Sequence, residues 1–418
     1  MADSGIYGNC HSFQGIPPPG IRRMQIRAAF LVLFLALSVS LCRSREKEPE
    51  RTYENGVEIV NNGLEPYVIK GEANHLRLEQ KLVIDFEAPD LTAVGIPKIW
   101  SFNVDSQGNI YVWCRQSSEN FIFKFDPAGK FARAFGRSGE GPREIAALDN
   151  LGIDERDEII ISDDGRKRLI LMSASGDMLN ELQLPSKMNT ATLLPNGNIL
   201  ASRSVFNPEE GIVKIQIVLC DQGLNELAVL NPTEELPNWL RAKRINGLGT
   251  APTLGQGSIS KEHIYVGNKQ SGYQIWVYDL EGNPIRRIKK DYEPVAVPED
   301  IKKTVLEVFD MPIHKSQKSK LYFPDSMPAL QYLFTDDQGR LFVMTFEKGE
   351  RPGHFMYDFF NSDGIFVGRT SLDNTGNESL EIWGGPFEVR AKNNLLYYLR
   401  AKESGFQELV VCRMIWTE

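Results

Sequence analysis

The sequence is poor in the residues and motifs that usually mark an enzyme. Its 418 residues contain 5 histidines and 5 cysteines, and no CxxC pair offers a structural zinc or redox site. It also lacks the HExxH pattern of zinc hydrolases, the GxSxG turn that carries a nucleophilic serine, and a phosphate-binding Gly-rich loop. The residues alone therefore assign no catalytic group.

The sequence has no apolar run long enough to cross a membrane as a helix. The longest run, 28–41, has roughly 14 apolar or small residues, whereas a spanning helix needs about 20. Three arginines precede this run: Arg22, Arg23 and Arg27. A basic segment followed by a short apolar one is typical of a secretory signal, so we predict that residues 1–42 are a leader. Met24 is an alternative start, which would make 1–23 an over-extended beginning.

Cys42 directly follows the apolar run, in the order Ser38-Val39-Ser40-Leu41-Cys42. This order resembles the lipobox of bacterial lipoproteins, whose cysteine receives a lipid, although that pattern has a small residue where Leu41 stands. The resemblance implies that Cys42 is lipidated, with 43–75 as a polar tether to the membrane. Cleavage with secretion and a retained anchor are the alternatives. In each case we expect the chain in the periplasm or cell envelope, outside the cytoplasm.

Basic residues are in the minority. The formal net charge is −8, so a general attraction to nucleic acid is not expected. Outside the leader the cysteines are Cys114, Cys220 and Cys412. We interpret them as small buried apolar side chains, with a Cys114 to Cys412 disulfide as the alternative. We expect a monomer.

One arrangement of short strands and turns recurs along the chain. An apolar strand, a turn of Asp, Asn and Gly, a strand ending in Phe-Asp or Tyr-Asp and a second Gly turn form one copy, as in 104–130. Inner turns fall at Gly108, Asp157, Gly197, Lys261, Gly339 and Asn393. Outer turns fall at Gly129, Gly176, Gly223, Gly282 and Gly364. Because one such sheet cannot bury both its faces, repeated copies predict an all-β fold, a six-bladed β-propeller of four-stranded antiparallel blades.

A closed ring requires its first and last blades to be joined. The last copy, 387–415, lacks an outer turn of the Asp-x-x-Gly type, and a strand-like run, 82–86, precedes the first full copy. We predict that this early run pairs with the last blade and closes the ring. The propeller then forms a single domain over 76–418. Two separate β-sandwiches are the alternative, but they would not repeat one pattern of turns.

The loop between the first two copies is the most distinctive segment. It reads Phe135-Gly136-Arg137-Ser138-Gly139-Glu140-Gly141-Pro142-Arg143-Glu144. With its flanking strands, this loop resembles bacterial six-bladed β-propeller proteins related to NHL repeats, many of them lipoproteins. The similarity extends over 82–415 and is strongest in the first two copies. It identifies the scaffold rather than a site.

The hairpin at 163–168 resembles the NHL pattern in which an Asp after one strand pairs with an Arg that opens the next. Asp163 and Arg168 have the spacing to meet across a tight turn, and a structural ion pair is the preferred interpretation. If the propeller binds a ligand through its loops, the charged side chains of this hairpin and of the preceding loop are the candidates. They are Arg137, Glu140, Arg143, Glu144, Asp163, Asp164, Arg166 and Arg168.

One insertion interrupts the strand pattern. Between 298 and 310, Ile301, Val305, Leu306 and Phe309 fall on one face at helical spacing, with acidic residues in the first turn. We predict a short amphipathic helix whose apolar face packs on a blade edge. The basic segment after it, 315–320, is predicted to be a solvated loop.

Two functions remain open from the sequence. The first is a non-catalytic binding or scaffold module whose loops bind a protein, peptide or glycan, with no cofactor. Tryptophans at 100, 113, 276 and 383 are candidate stacking platforms, although burial between blades is the preferred interpretation. The alternative is a lyase or lactonase-type hydrolase with calcium or zinc in the central channel. The few histidines, His75, His263, His314 and His354 outside the leader, do not recur at equivalent positions.

Overall fold

The computed structural model describes most of the chain from Glu48 onward. The described residues are 48–96, 98–114, 119–141, 143–207, 212–237, 244–248, 259–267, 272–312, 314–373 and 389–418. The predicted leader, Cys42, Pro142 and Trp383 lie outside them. None of the helices in these residues is long and apolar enough to cross a membrane.

Strands make up nearly all of the regular structure. Three strands precede the repeats, namely β1 (Glu50–Glu54), β2 (Val57–Asn62) and β3 (His75–Asp85). Blade 1 has β4 (Ser101–Val104), β5 (Ile110–Trp113), β6 (Asn120–Phe125) and β7 (Phe131–Arg137). Blade 2 has β8 (Leu148–Ile153), β9 (Ile159–Asp163), β10 (Arg168–Met172) and β11 (Met178–Gln183). Blade 3 has β12 (Met188–Leu193), β13 (Ile199–Asn207), β14 (Ile212–Cys220) and β15 (Glu226–Pro237).

The second half of the chain completes the ring. After the short strand β16 (Ile245–Asn246), blade 4 has β17 (His263–Gly267), β18 (Gln274–Asp279) and β19 (Pro284–Lys290). After β20 (Leu321–Tyr322), blade 5 has β21 (Tyr332–Thr335), β22 (Leu341–Lys348), β23 (His354–Phe360) and β24 (Phe366–Asp373). Blade 6 has β25 (Val389–Lys392), β26 (Leu395–Ala401) and β27 (Gln407–Thr417). The helices are α1 (Pro89–Val94), α2 (Glu299–Asp310) and a 3₁₀ helix, Lys315–Lys320.

The predicted six-bladed propeller is confirmed. Each of the six sheets is built on antiparallel strands that are neighbours in sequence, with β3 added to blade 6 and β1 and β2 added to blade 4, and the first strand of each blade lies innermost. In blade 4 the innermost position is taken by Ile259, which forms a bridge with Ile264 ahead of β17. The predicted turns join the strands, and most of the turn glycines have positive φ, as at Gly108 and Gly129. In the outer turn of blade 3, Leu224 rather than Gly223 takes the positive φ.

Each pair of neighbouring blades encloses its own apolar cluster. In β9, Ile159 and Ile161 pack against blade 1, while Ile160 between them packs against blade 3. Successive side chains of a strand point to opposite faces, so a strand covered on both faces needs an uninterrupted apolar run. The cluster between blades 6 and 1, which includes Phe102 and Leu409, closes the ring.

The three cysteines of the propeller lie in three of these clusters. Cys114, Cys220 and Cys412 are buried and carry free thiols. Burial raises the pKa of the Cys114 thiol to about 12. The interpretation as small buried apolar side chains is confirmed, and the Cys114 to Cys412 disulfide is not formed.

The early strand closes the ring as predicted. β3 pairs antiparallel with β27 from His75↔Thr417 to Asp85↔Glu408 and supplies the outermost strand of blade 6. The strand is longer than the predicted run, and the backbone N–H of Phe86 continues the pairing by donating to Gln407. Ile84 is 3% exposed and belongs to the cluster between blades 6 and 1.

The segment expected to be a polar tether, 43–75, is partly strand. β1 and β2 form a hairpin, and β2 pairs parallel with β19, which extends blade 4 outward to five strands. Buried Ile59 and Val60 hold β2 in the sheet. Asn62 then bridges two blades, since its side chain bonds the carbonyls of Lys289 and Gly364 and the N–H of Phe366. The N-terminal segment therefore fastens blades 4, 5 and 6 together.

The predicted helix is present as α2. Its buried residues are Ile301, Val305 and Phe309, and they pack against Phe346 of β22. The apolar face therefore covers a blade edge, as expected, although Leu306 is only partly buried. The basic segment after it differs from the prediction. It forms the 3₁₀ helix, in which Lys318 pairs with Asp310 at 2.7 Å.

Candidate functional site

An aspartate or asparagine closes most of the tight turns. In Asp105, one carboxylate oxygen accepts the backbone N–H groups two and four residues later, at 3.0 and 2.7 Å. The same pair of bonds is made by Asp126, Asp154, Asp221, Asp279, Asp336 and Asn361. Short polar side chains are favoured in turns because they satisfy nearby backbone donors in this way. The recurring Asp of the sequence is thus a turn-forming residue.

The inner turns of neighbouring blades are bonded to one another. Asp157 accepts from the backbone and hydroxyl of Ser106 at 2.7 and 2.6 Å. Asn393 donates its side-chain amide to the carbonyl of Ser106 at 3.0 Å, and its backbone N–H donates to Asp337. The turns of blades 5, 6, 1 and 2 therefore form one connected rim around the channel.

A cavity of about 430 Å³ opens inside this rim, within the range of small-ligand sites. Its walls come from all six blades, at the ends of the innermost strands that lead into the inner turns. Examples are Asn103 of blade 1, Thr192 of blade 3 and Arg390 of blade 6. We call the end of the ring that carries the inner and outer turns the turn face, and the opposite end the loop face.

The cavity carries more carboxylates than cations. Asp336 pairs with Arg340 at 2.7 Å, and Asp337 lies 3.9 Å from Lys392. Asp154, Glu155 and Glu262 also line the cavity, and within the described part of the chain none of them forms an ion pair. The local charge is therefore negative on the side formed by blade 2, whereas Lys261 offsets Glu262 on the side formed by blade 4.

Two aromatic side chains of β17 line the same cavity. His263 and Tyr265 meet edge to face with centroids 6.1 Å apart. Tyr265 is only 4% exposed, and its hydroxyl makes no hydrogen bond with any residue that the structure describes. Burial raises the pKa of Tyr265 to about 12 and lowers the pKa of His263 below its usual value. Near neutral pH the tyrosine therefore stays protonated and the histidine adds little positive charge.

Arg390 stands deeper in the channel. Its guanidinium donates to Asn103 at 3.1 Å, to the Tyr332 hydroxyl at 2.6 Å and to the carbonyl of Val389. These bonds join the innermost strands of blades 1, 5 and 6. The arginine therefore ties the channel wall together at the floor of the cavity.

The site residues predicted from the sequence lie on the loop face instead. The two predicted segments do meet there, because Arg166 donates to the carbonyl of Gly141 at 3.2 Å and Arg168 donates to the carbonyl of Glu144. Glu144 also accepts from the N–H of Gly141 at 2.7 Å and pairs with Arg137 at 3.2 Å. Two of these four interactions join the segments, and the other two lie within the loop.

The ion pair predicted between Asp163 and Arg168 is present. The two residues stand opposite each other in β9 and β10, with Oδ2 and Nε 3.0 Å apart. Asp163 is fully buried and also accepts the N–H groups of Ala146 and Ala147. Arg168 reaches Glu181 at 2.6 Å, while Asp164 pairs with Lys167 at the surface. The remaining candidates, Glu140 and Arg143, lie in the loop, Arg143 with a φ of 66°.

The described residues contain no group of three or more His, Cys, Asp or Glu side chains placed to hold a metal ion. Trp113 is buried between blades 1 and 2, and Trp276 stacks on Tyr278 with centroids 6.1 Å apart. The preferred interpretation, in which the tryptophans pack between strands, holds for Trp113. The residues that line the channel cavity were not predicted from the sequence, because they come from six separate repeats.

Comparisons with known proteins agree with the architecture. A family model described as a 6-bladed beta-propeller matches residues 94–238, which hold blades 1 to 3. No curated protein matches the sequence. Together with the six blades of the structure, this match identifies the chain as a six-bladed β-propeller.

Among solved structures, a candidate exported protein of Bacteroides fragilis is 11% identical, with a TM-score of 0.48 over 85% of this chain and 99% of that one. Virginiamycin B lyase from Staphylococcus aureus is 13% identical, with a TM-score of 0.37 over 82% and 100%. A gluconolactonase from Xanthomonas campestris is 11% identical, with a TM-score of 0.37 over 75% and 86%. At these identities the similarity concerns the fold and assigns no activity.

Proposed function

We propose that the protein is an extracytoplasmic, non-catalytic binding module, anchored to a membrane by a lipid on Cys42, which holds a protein, peptide or glycan in the channel cavity. The cavity carries this proposal, because the strand ends of all six blades line it. Turns bonded from blade to blade form much of its rim. A rim that is already ordered loses little conformational entropy when a ligand binds. The predicted leader and the lipobox-like order before Cys42 support the location.

Replacement of Cys42 by serine tests the anchor. A serine cannot form the thioether to a lipid, so C42S should move from the membrane fraction to the soluble fraction and lose the mass of the acyl chains. Fractionation followed by mass spectrometry of the N-terminal peptide measures both. Serine at Cys114, which is buried in blade 1, is the matched control and should stay with the membrane. Wild-type protein without an acylated N-terminal peptide would contradict the anchor.

A photo-crosslinking residue at Gln338 tests the binding site. Gln338 is exposed and lines the cavity, so in whole cells it should crosslink to the ligand and yield an adduct of defined mass. The same residue at Gln80, exposed on β3 at the outer edge of blade 6, should not yield that adduct. Equal adducts at the two positions, or none at Gln338, would count against a ligand site in the channel.

A further inference from the structure

The geometry points to a positively charged ligand for the channel cavity, and we propose that it takes a peptide segment bearing lysine or arginine side chains. This inference rests on the proposed binding function and narrows its ligand. It depends on two independent observations, the charge of the turn face and the environment of Tyr265.

The turn face concentrates the negative charge of the propeller. Its turns contain these acidic residues: Asp105, Asp126, Asp154, Glu155, Asp157, Glu158, Asp177, Asp221, Glu262, Asp279, Glu281, Asp336, Asp337 and Asp363. They contain these basic residues: Lys130, Arg156, Lys261, Arg340 and Lys392. Fields from many like charges add over a surface and are strengthened at a concave site, so this face attracts cations and repels anionic polymers.

The cavity lies within this acidic face and keeps carboxylates available. Asp154 and Glu155 of blade 2 stand on one side, and Glu262 of blade 4 stands on the other, with the blade 3 residues Thr192 and Pro195 between them. Since none of the three carboxylates pairs with a cation among the described residues, a ligand cation would meet them without displacing a partner. Lys261 is the basic side chain next to them.

Tyr265 supplies a polar group that has no hydrogen-bond partner among the described residues. Tyr265 lines the cavity and is 4% exposed, and no described residue forms a hydrogen bond with its hydroxyl. A hydroxyl that no described side chain occupies can accept a hydrogen bond from a group in the cavity. An ammonium or guanidinium group can donate to the phenol oxygen and also lie against the ring. Glu262, three residues earlier and directly before β17, carries the negative charge that would balance the ligand cation.

Fluorescence anisotropy of labelled hexalysine with the full-length protein at low salt tests the inference. The double variant Glu155→Gln, Glu262→Gln should bind roughly three- to tenfold more weakly, because both side chains are exposed and each lost ion pair is worth little. Tyr265→Phe should weaken binding by about two- to tenfold, the effect of one hydrogen bond, without lowering the melting temperature. Glu50→Gln, Glu403→Gln changes the net charge equally at exposed residues outside the cavity and should bind like wild type.

The inference is overturned if hexalysine does not bind, or if the control pair weakens binding as much as the cavity pair, which would mean nonspecific attraction to an acidic surface. Its failure is separable from that of the binding function. Labelled hexaglutamate and a neutral chitin oligomer serve as further probes. If either competes for the Gln338 crosslink while hexalysine does not, the cavity binds a ligand but not a cationic one.

Discussion

A chain that starts at Phe86 should fail to form the propeller. It lacks β3, so β27 loses its partner from Glu408 to Thr417 and blade 6 ends in an unpaired strand. The cluster between blades 6 and 1 loses Ile84, and Gly129 of the blade 1 outer turn loses the Leu82 and Ile84 side chains that lie against it. We expect loss of cooperative thermal unfolding, measured by circular dichroism. A chain that starts at Glu48 should unfold cooperatively like the full-length protein.

A single substitution in β3 tests the same ring closure through a smaller loss of stability. Ile84→Ala removes a buried side chain and should cost about 2–5 kcal/mol of unfolding free energy, as other large-to-small changes in a packed core do. Glu79 lies on the same strand and is exposed, so Glu79→Ala should change the stability by less than about 0.5 kcal/mol. Closure through β3 would be refuted if the chain starting at Phe86 melted at the temperature of the longer one.

The sequence-based prediction of the ring succeeded because its signals are local. Each hairpin turn needs a residue that tolerates positive φ, and such residues recur at Gly108, Asp157 and Asn393. Each central strand needs an apolar residue at every position, as at Ile159 to Ile161. Both requirements act within a few residues, so one sequence displays them without knowledge of the fold. The α2 helix could be predicted for the same reason, because the spacing of its apolar residues is also a local signal.

The residues that line the cavity could not be predicted from the sequence in the same way. Glu155, Glu262 and Tyr265 are ordinary residues within their own repeats, and only ring closure brings their blades around one space. The position of a residue relative to the inner turn of its own repeat indicates whether it reaches the channel. Residues next to an inner turn lie at the channel, whereas charged residues in the long loops, such as Arg137, lie on the loop face. Equivalent inner-turn positions are therefore the ones to compare across the six copies.

Local sequence signals also could not predict the parallel pairing of β2 with β19. Glu58 lies next to Arg286, 228 residues later, and accepts from its guanidinium at 2.7 Å. From the sequence, the residues of β2 were predicted to lie within the polar tether, 43–75. Pairing over such a distance depends on the completed blade 4, whose open outer edge accepts the strand. Because the hairpin attached to blade 4 begins at Glu50, the predicted tether is confined to the residues between the leader and β1.

Replacement of Asp163 decides whether the 163–168 hairpin is structural. Asp163→Ala leaves Arg168, 7% exposed, without its buried carboxylate partner, and it leaves the N–H groups of Ala146 and Ala147 without their acceptor. Removal of one member of a buried ion pair typically costs about 3–5 kcal/mol. We therefore expect a loss of this size in the free energy of unfolding, measured by urea denaturation. Asp163→Asn should cost less, because its amide oxygen still accepts a backbone N–H.

The neighbouring aspartate is a matched control. Asp164 is 45% exposed and, among the described residues, forms an ion pair with Lys167 alone, so Asp164→Ala should cost at most about 1 kcal/mol, as surface ion pairs do. Arg168→Lys should resemble Asp163→Ala, because one ammonium cannot reach Asp163, Glu144 and Glu181 together as the guanidinium does. If Asp163→Ala instead kept its stability and lost the Gln338 adduct, the hairpin would belong to the ligand site. With the cavity at the other end of the blades, we expect the opposite, a destabilised ring whose folded fraction binds normally.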